Sequence, residues 1–407
     1  MTSIELTLVD DDAIAFATFQ SHNQKVVSNR YGIFITYLKA ANEQYMAQRW
    51  RLARSTDGGK TFTTVYEDIH PTNPPVLETD EEGNIYLVRP DFADDNAYLY
   101  RFLAKDGFQK PLISKMPEGS AGKFAMTIDL LRKQLYYLDH THGRLQAVGF
   151  DGEVRLSHVI LKPGKNAILQ YPHLALDRDG TLYAAWTTSK PVGYHYWDIH
   201  AMRSCDAGKT WEKLDGTPLT LPVIADDGGE ADRISADDEF DVHSWLSAFM
   251  VKDGKLHFAY WTENKPERQR YVRYDIATGK RDVDIQPMFP RRNTKQQNDS
   301  GLFASRAATP GSMLYFVSVI EDRTRPACLA SDDNGETWYE YAICDRKFNG
   351  RVYSIGGARE LTGDDYIIGT FTDVAPGAKT YYEPKSGKVY FFKIKAGLSR
   401  AKTAGAK

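Results

Sequence analysis

Short apolar runs rich in Tyr, Val, Ile and Leu, broken by turns that contain Gly or Asp, recur along the whole chain. Seven of them stand out as second strands of a repeating unit: residues 32–37, 83–88, 133–138, 180–186, 254–261, 312–317 and 365–371. Further apolar runs at 98–102 and 270–274 fall where third strands belong. Brief runs bounded by turn residues read as strands, and the amphipathic helical period is almost absent. A unit of about fifty residues lies in the range of propeller blades. The pattern predicts an all-β chain folded as a single seven-bladed β-propeller. Six blades are the alternative, at the expense of one clear repeat. Residues 1–396 form this domain, and the Ala/Lys-rich stretch 397–407 is expected to fray. The acidic, Gly-containing stretch 226–241 reads as a long rim connection between blades 4 and 5.

One pattern, Ser-x-Asp-x-Gly-x-Thr-aromatic, appears at 55–62, 204–211 and 331–338, in blades 1, 4 and 6. It suits a tight hairpin: the Asp carboxylate accepts N–H groups inside the turn, Gly supplies positive φ, and the aromatic fills the gap to the neighbouring hairpin. The pattern resembles the Asp-box, or BNR repeat, of sialidases and of several propeller-shaped carbohydrate-active proteins. That resemblance implies a fold and leaves activity to residues elsewhere.

Aromatic content of 12%, with 24 Tyr and 7 Trp, suits strands and also a sugar-binding surface. A formal net charge of −3 gives no basis for nucleic acid or a membrane surface as partner. Cys205, Cys328 and Cys344 lack metal-ligand spacing and read as buried or half-buried free thiols. The N-terminus has neither a basic region nor a long apolar stretch, so a cytoplasmic protein is expected, or a secreted one if a leader has been trimmed.

In a four-stranded blade, the start of the inner strand and the loop between second and third strands share one face, where propellers usually bind ligands. By this reading seven of the 10 histidines collect there: His22, His70, His140, His142, His173, His195 and His243. Asn23, Lys25, Tyr171, Tyr194, Trp245, Arg351 and Tyr353 fall on the same face. Such a surface suits an acidic sugar, because Arg holds a carboxylate with two charge-assisted bonds and Tyr or Trp lies on the apolar face of a pyranose. Neutral His can take or deliver a proton. Together these groups fit β-elimination on a uronate. Hydrolysis by the usual route needs two carboxyl groups instead, and Asp91, Asp198, Glu263, Glu267, Asp299 and Asp322 are the candidates.

Residues 171–180, followed by 197–204 and the second repeated turn, resemble a BNR propeller family of polysaccharide lyases. The family includes ulvan lyases and enzymes that remove L-rhamnose linked to glucuronate. Residues 19–27 look like the opening blade of the rhamnosyl-glucuronate branch, and the resemblance implies that His22 is the essential catalytic group. The second-blade His pair of ulvan lyases has no counterpart in 72–91, and the Arg-Ile-Pro motif of sialidases has none near the N-terminus. The expected activity is a lyase releasing terminal rhamnose from glucuronate. His173, His195 and His243 would support His22 as acid/base or orienting groups. Asn23, Lys25, Tyr171, Tyr194, Trp245, Arg351 and Tyr353 would bind the sugar. A glycoside hydrolase of sialidase or α-L-rhamnosidase type is the enzymatic alternative, and a non-catalytic glycan-binding propeller is the other. The expected partner is an acidic oligosaccharide bound by a monomer. No catalytic metal or cofactor is expected, and calcium would enter only as a structural ion.

Overall fold

The computed structural model describes residues 2–40, 48–70, 72–190, 196–236, 242–263, 268–286, 288–289, 300–307 and 309–397. Among them the only helical element is one 3-10 turn, Ala104–Asp106. Among the described residues no helix is long and apolar enough to cross a membrane. The strands form seven four-stranded sheets and a two-stranded one pairing Leu161–Lys162 with Val223–Ile224, and the chain is an all-β, seven-bladed β-propeller. The seven runs singled out in the sequence are all second strands, observed at Gly32–Ala40, Ile85–Pro90, Gln134–Asp139, Leu182–Ser189, Lys255–Thr262, Leu314–Ile320 and Tyr366–Val374. Every position of Leu182–Ser189 is buried. A strand covered on both faces needs apolar residues on both, so it reads as a continuous run and not as an alternation.

Blade 7 is assembled from both ends of the chain. Its inner three strands are Arg351–Gly357, Tyr366–Val374 and Gly387–Lys395, and its fourth is Ile4–Ala13. The fourth strand runs antiparallel to the third, from Ile4 opposite Ile394 to Ala13 opposite Gly387. The repeat read from the sequence leaves residues 4–13 out, because their partner lies at the far end of the chain.

Contacts divide the chain into two compact units, residues 1–94, 98–113 and 292–407, and residues 95–97 and 114–291. The first holds blades 1, 6 and 7 and most of blade 2. One of its cores packs Phe34, Trp50, Leu52, Tyr100, Phe102 and Phe391. The second holds blades 3, 4 and 5, with Tyr136, Leu145, Trp186, Met202 and Trp211 in one core and Leu246, Phe258 and Tyr260 in another.

The three repeated turns share one hydrogen-bond scheme. Asp57 accepts the Thr61 N–H at 3.0 Å and its hydroxyl at 2.7 Å, and Asp206 accepts the same groups of Thr210 at 2.9 and 2.7 Å. Asp333 does so with Thr337. The serine hydroxyl that opens each turn accepts the N–H of Gly59, Gly208 or Gly335. The Thr61 hydroxyl, followed by its N–H, holds the Asp57 carboxyl well below the usual carboxylate range. At Asp206 and Asp333 burial pushes the carboxyl up, but the threonine bonds outweigh it and hold it low.

Two expectations are corrected. The stretch from Asp226 is not simply a rim loop, since Asp232–Arg233 supplies the fourth strand of blade 4, opposite His200 and Ala201. Asp226 itself is buried, and its carboxylate accepts the N–H groups of Asn166, Ala167 and Gly228 at 2.8–3.0 Å. An acidic residue that caps backbone in this way looks, in sequence, like solvent-exposed linker. Cys205, expected to be at least half-buried, is exposed in the second repeated turn, whereas Cys328 and Cys344 are buried. Residues 237–241 and 398–407 lie outside the described residues.

Candidate active site

Within the first unit, His22 sits half-buried in a turn that feeds the inner strand of blade 1, Val26–Asn29. The turn closes with the Asn23 N–H donating to the Gln20 carbonyl at 3.0 Å, and Gln20 is left-handed at φ 62°. The Asn23 amide donates to the Gln20 side chain at 3.0 Å. From below, the Lys25 ammonium donates to the carbonyls of Gln20 and Asn23, the latter at 2.9 Å. Lys25 is only 3% exposed, and burial pushes its pKa down to about 7. Asn23 and Lys25, expected to bind sugar, are buried, and the Asn23 amide and the Lys25 ammonium donate within the turn. They hold the loop that carries His22.

The same segment is joined to the inner strand of blade 7, which carries Arg351 and Tyr353. The Thr18 hydroxyl lies 3.5 Å from the Tyr353 carbonyl and 3.4 Å from that of Ser354, and 2.8 Å from the Thr372 hydroxyl. A Cβ at Gly356 would stand 2.3 Å from the Ser21 carbonyl oxygen, so this close approach requires glycine. The strand bulges between Tyr353 and Gly356, with Ser354 left-handed at φ 49°. The Arg351 guanidinium lies over the Tyr353 ring at 4.4 Å. Tyr353 stacks on Phe16 at 5.7 Å, and Phe16 stacks in turn on Phe19 at 4.3 Å and Tyr381 at 4.2 Å. This aromatic shelf was missed in the sequence, although Phe16 and Phe19 directly precede the His22 turn.

Within the second unit a separate group forms around Tyr196. Its ring meets Trp245 at 4.4 Å, His243 at 5.3 Å and Tyr171 at 5.6 Å, and Tyr171 meets Trp245 at 4.0 Å. Trp261 closes on His243 at 5.1 Å. The Tyr196 N–H donates to His243 Nδ1 at 3.1 Å, which leaves the proton of the neutral ring on Nε2. Tyr171 is left-handed at φ 40°, in a bulge between Gln170 and Pro172 of the inner strand Ile168–Leu176. A bulky residue in that region is strained, and such strain is concentrated at sites that aim a side chain. His173, on the same strand, is 4% exposed and lies opposite Ala185.

Lys123 extends this group, its ammonium 5.6 Å from the Tyr171 ring centroid. Burial pushes the Lys123 pKa down. His140 Nδ1 lies 3.1 Å from the Lys123 carbonyl oxygen, and burial, then the Lys123 charge, pushes its pKa down to about 3, so it stays neutral. His142 stands 3.4 Å from Asp139 and 3.6 Å from Asp95. The blade pattern places His140 on the ligand face, but nothing local marks Lys123 as its partner.

The remaining candidates divide clearly. His195 and Tyr194 lie outside the described residues, as do Glu267 and Asp299. His70 is bound to Asp68 at 2.6 Å on the surface. Asp91 is tied to the buried Arg89 at 2.8 Å, and the buried Asp198 accepts the Ser235 hydroxyl at 3.0 Å. Two of the six carboxylates are thus committed to structure. Among the described residues no group of three or more His, Cys, Asp or Glu side chains could hold a metal ion.

This architecture is shared with a known structure. The chain matches an ulvan lyase, reported as representing a new polysaccharide lyase family, with a TM-score of 0.65 over 98% of both chains at 13% identity. An α-L-arabinanase of Penicillium chrysogenum gives 0.47 over 96% of this chain and 98% of that one at 11% identity. The NanB sialidase of Streptococcus pneumoniae gives 0.45 over 95% and 71% at 10% identity. At such identities the ulvan lyase likeness shows the fold. No protein-family model and no curated protein matches the chain.

Proposed function

We propose that this protein is a carbohydrate-active enzyme, a lyase that releases terminal L-rhamnose from glucuronate by β-elimination. The reading is carried by the first unit, where the His22 turn, propped by buried Asn23 and Lys25, is joined to the strand that presents Arg351 and Tyr353. A histidine and a guanidinium on one braced support are what this elimination needs. Arg351 pairs with the uronate carboxylate, which makes the C5 proton more acidic. His22 removes that proton, the electron pair forms the C4–C5 double bond, and the C4–O bond breaks. The leaving oxygen receives the proton from protonated His22, so the imidazole ends neutral and no co-reactant is consumed. Tyr381, exposed on the Phe16 stack, gives the sugar a flat apolar face, and the buried Tyr353 backs Arg351 and Phe16. Within the second unit, His173, His195 and His243 are proposed as acid/base or orienting groups, and Tyr171, Tyr194 and Trp245 as sugar contacts.

Incubation with a rhamnosyl-glucuronate oligosaccharide tests this. The expected result is rhamnose release together with the ultraviolet absorbance of an unsaturated uronate. Release without that absorbance would make the protein a hydrolase, and binding without release a lectin. His22→Ala should lower kcat by about 100-fold or more. Unchanged turnover in that variant would remove His22 from the mechanism.

A further inference from the structure

The inner strand of blade 1 has His22 before its first residue and a second feature after its last. There the turn at residues 29–32 opens on a cleft of 470 Å³, walled within the first unit by Arg30, Tyr31, Arg54, Asp364, Tyr366 and Lys393 among others. The volume lies in the usual range of ligand pockets, about 300–1,000 Å³. Three of these side chains are cationic and one is anionic. Arg30 spends its bonds on the carbonyls of Glu81 and Glu82, at 3.2 and 2.8 Å. Arg54 donates twice to the Tyr31 carbonyl, at 2.9 and 2.6 Å. Both sets of acceptors are neutral, and among the described residues neither guanidinium forms an ion pair with a carboxylate. Lys393 lies over the Tyr366 ring at 5.0 Å, and its ion pair is with the surface residue Glu5 at 3.2 Å.

A cleft that fixes two guanidinium groups by neutral acceptors keeps their charge available for an anion. Guanidinium geometry favours planar carboxylates, and the half-buried rings of Tyr31 and Tyr366 back the cations, with Arg30 over Tyr31 at 5.1 Å and Lys393 and Lys395 over Tyr366 at 5.0 and 4.7 Å. We propose that this cleft is a second, non-catalytic binding site for an acidic polysaccharide, seating a uronate unit of the chain. The identity of that ligand class rests on the function proposed above, but the cleft and its test do not depend on turnover.

The test is native gel electrophoresis in gels cast with polyglucuronate, a polymer that lacks the rhamnose linkage, against gels cast with neutral dextran. Polyglucuronate should retard the protein and dextran should not. The Arg30→Glu/Lys393→Glu double variant should bind about ten-fold more weakly, the loss expected for one or two charge-assisted bonds. His22→Ala should be retarded as strongly as the unaltered protein, and the double variant should retain its activity on a short substrate. Circular dichroism checks that the double variant is folded; if it is not, Arg30→Ala decides, with a several-fold loss expected. Absence of retardation, equal retardation in dextran, or full retardation of the charge-reversed variant would overturn the proposal. Retardation without rhamnose release would overturn only the lyase reading.

Discussion

Replacing Lys25 by Met removes an ammonium that is almost wholly buried and that titrates near pH 7 in the folded chain, against an ordinary value of 10.5. Between those two values the unfolded chain holds a proton that the folded chain does not, so this group makes the protein more stable as pH rises. Below pH 7 both states are protonated, and Lys25 contributes no pH dependence. The slope is about 1.4 kcal/mol per pH unit, so the stability of the unaltered protein relative to Lys25→Met should climb by about 2–3 kcal/mol from pH 7 to pH 9. Losing the bonds to the Gln20 and Asn23 carbonyls adds a cost of about 1–3 kcal/mol for each unsatisfied group. That offset varies little with pH, so the slope isolates the ionisation. Equilibrium urea denaturation of both proteins at half-unit pH steps reads it directly. A difference that stays flat, or falls, over this range would show that Lys25 keeps an ordinary pKa and that the turn is not built over a desolvated ammonium.

Two further perturbations test the packing. Trp211→Ala, at the aromatic position of the second repeated turn, should cost about 3–5 kcal/mol by denaturation, because the ring is 2% exposed in a core. Phe62→Ala at the matching position of the first turn should cost clearly less, since that ring is half-buried against Phe391 at 5.2 Å; equal losses would refute the comparison. Arg359→Met leaves buried Glu78 without its cation and should destabilise the fold by about 2 kcal/mol, less than a fully buried pair because the guanidinium is partly exposed. Adding Glu78→Gln should recover part of that loss, and no recovery would refute the pairing.

What the sequence made legible is what local chemistry or burial on both faces imposes. Strands such as Leu182–Ser189 announce themselves because neighbours cover both sides, and the three repeated turns do so because Ser, Asp, Gly and Thr satisfy one another within a few residues. Long-range pairing left weaker traces. Ile4–Leu8 alternates apolar and polar residues as a strand does, yet nothing nearby shows that Gly387–Lys395 is the partner of Ile4–Ala13. The site was legible by residue type and not by role. Lys25 reads as a cation for an acidic sugar, and only its burial under two carbonyls shows that its charge is spent on the His22 turn. The link from Tyr196 to His243 joins two loops whose spacing carries no signal, and the Phe16–Tyr381 shelf joins residues from opposite ends of the chain.

The pairing of Ile4–Ala13 with Gly387–Lys395 has a consequence for biosynthesis. A ribosome delivers the first of these segments before every other strand of the propeller and the second after them, so the early segment stays an unmatched β-edge while the strands between are made. The loop entropy of that closure is met only when Gly387–Lys395 emerges, so the step that locks the seventh sheet comes after every other sheet could already have formed. Until then the early strand is the part of the molecule most open to pairing with a stranger.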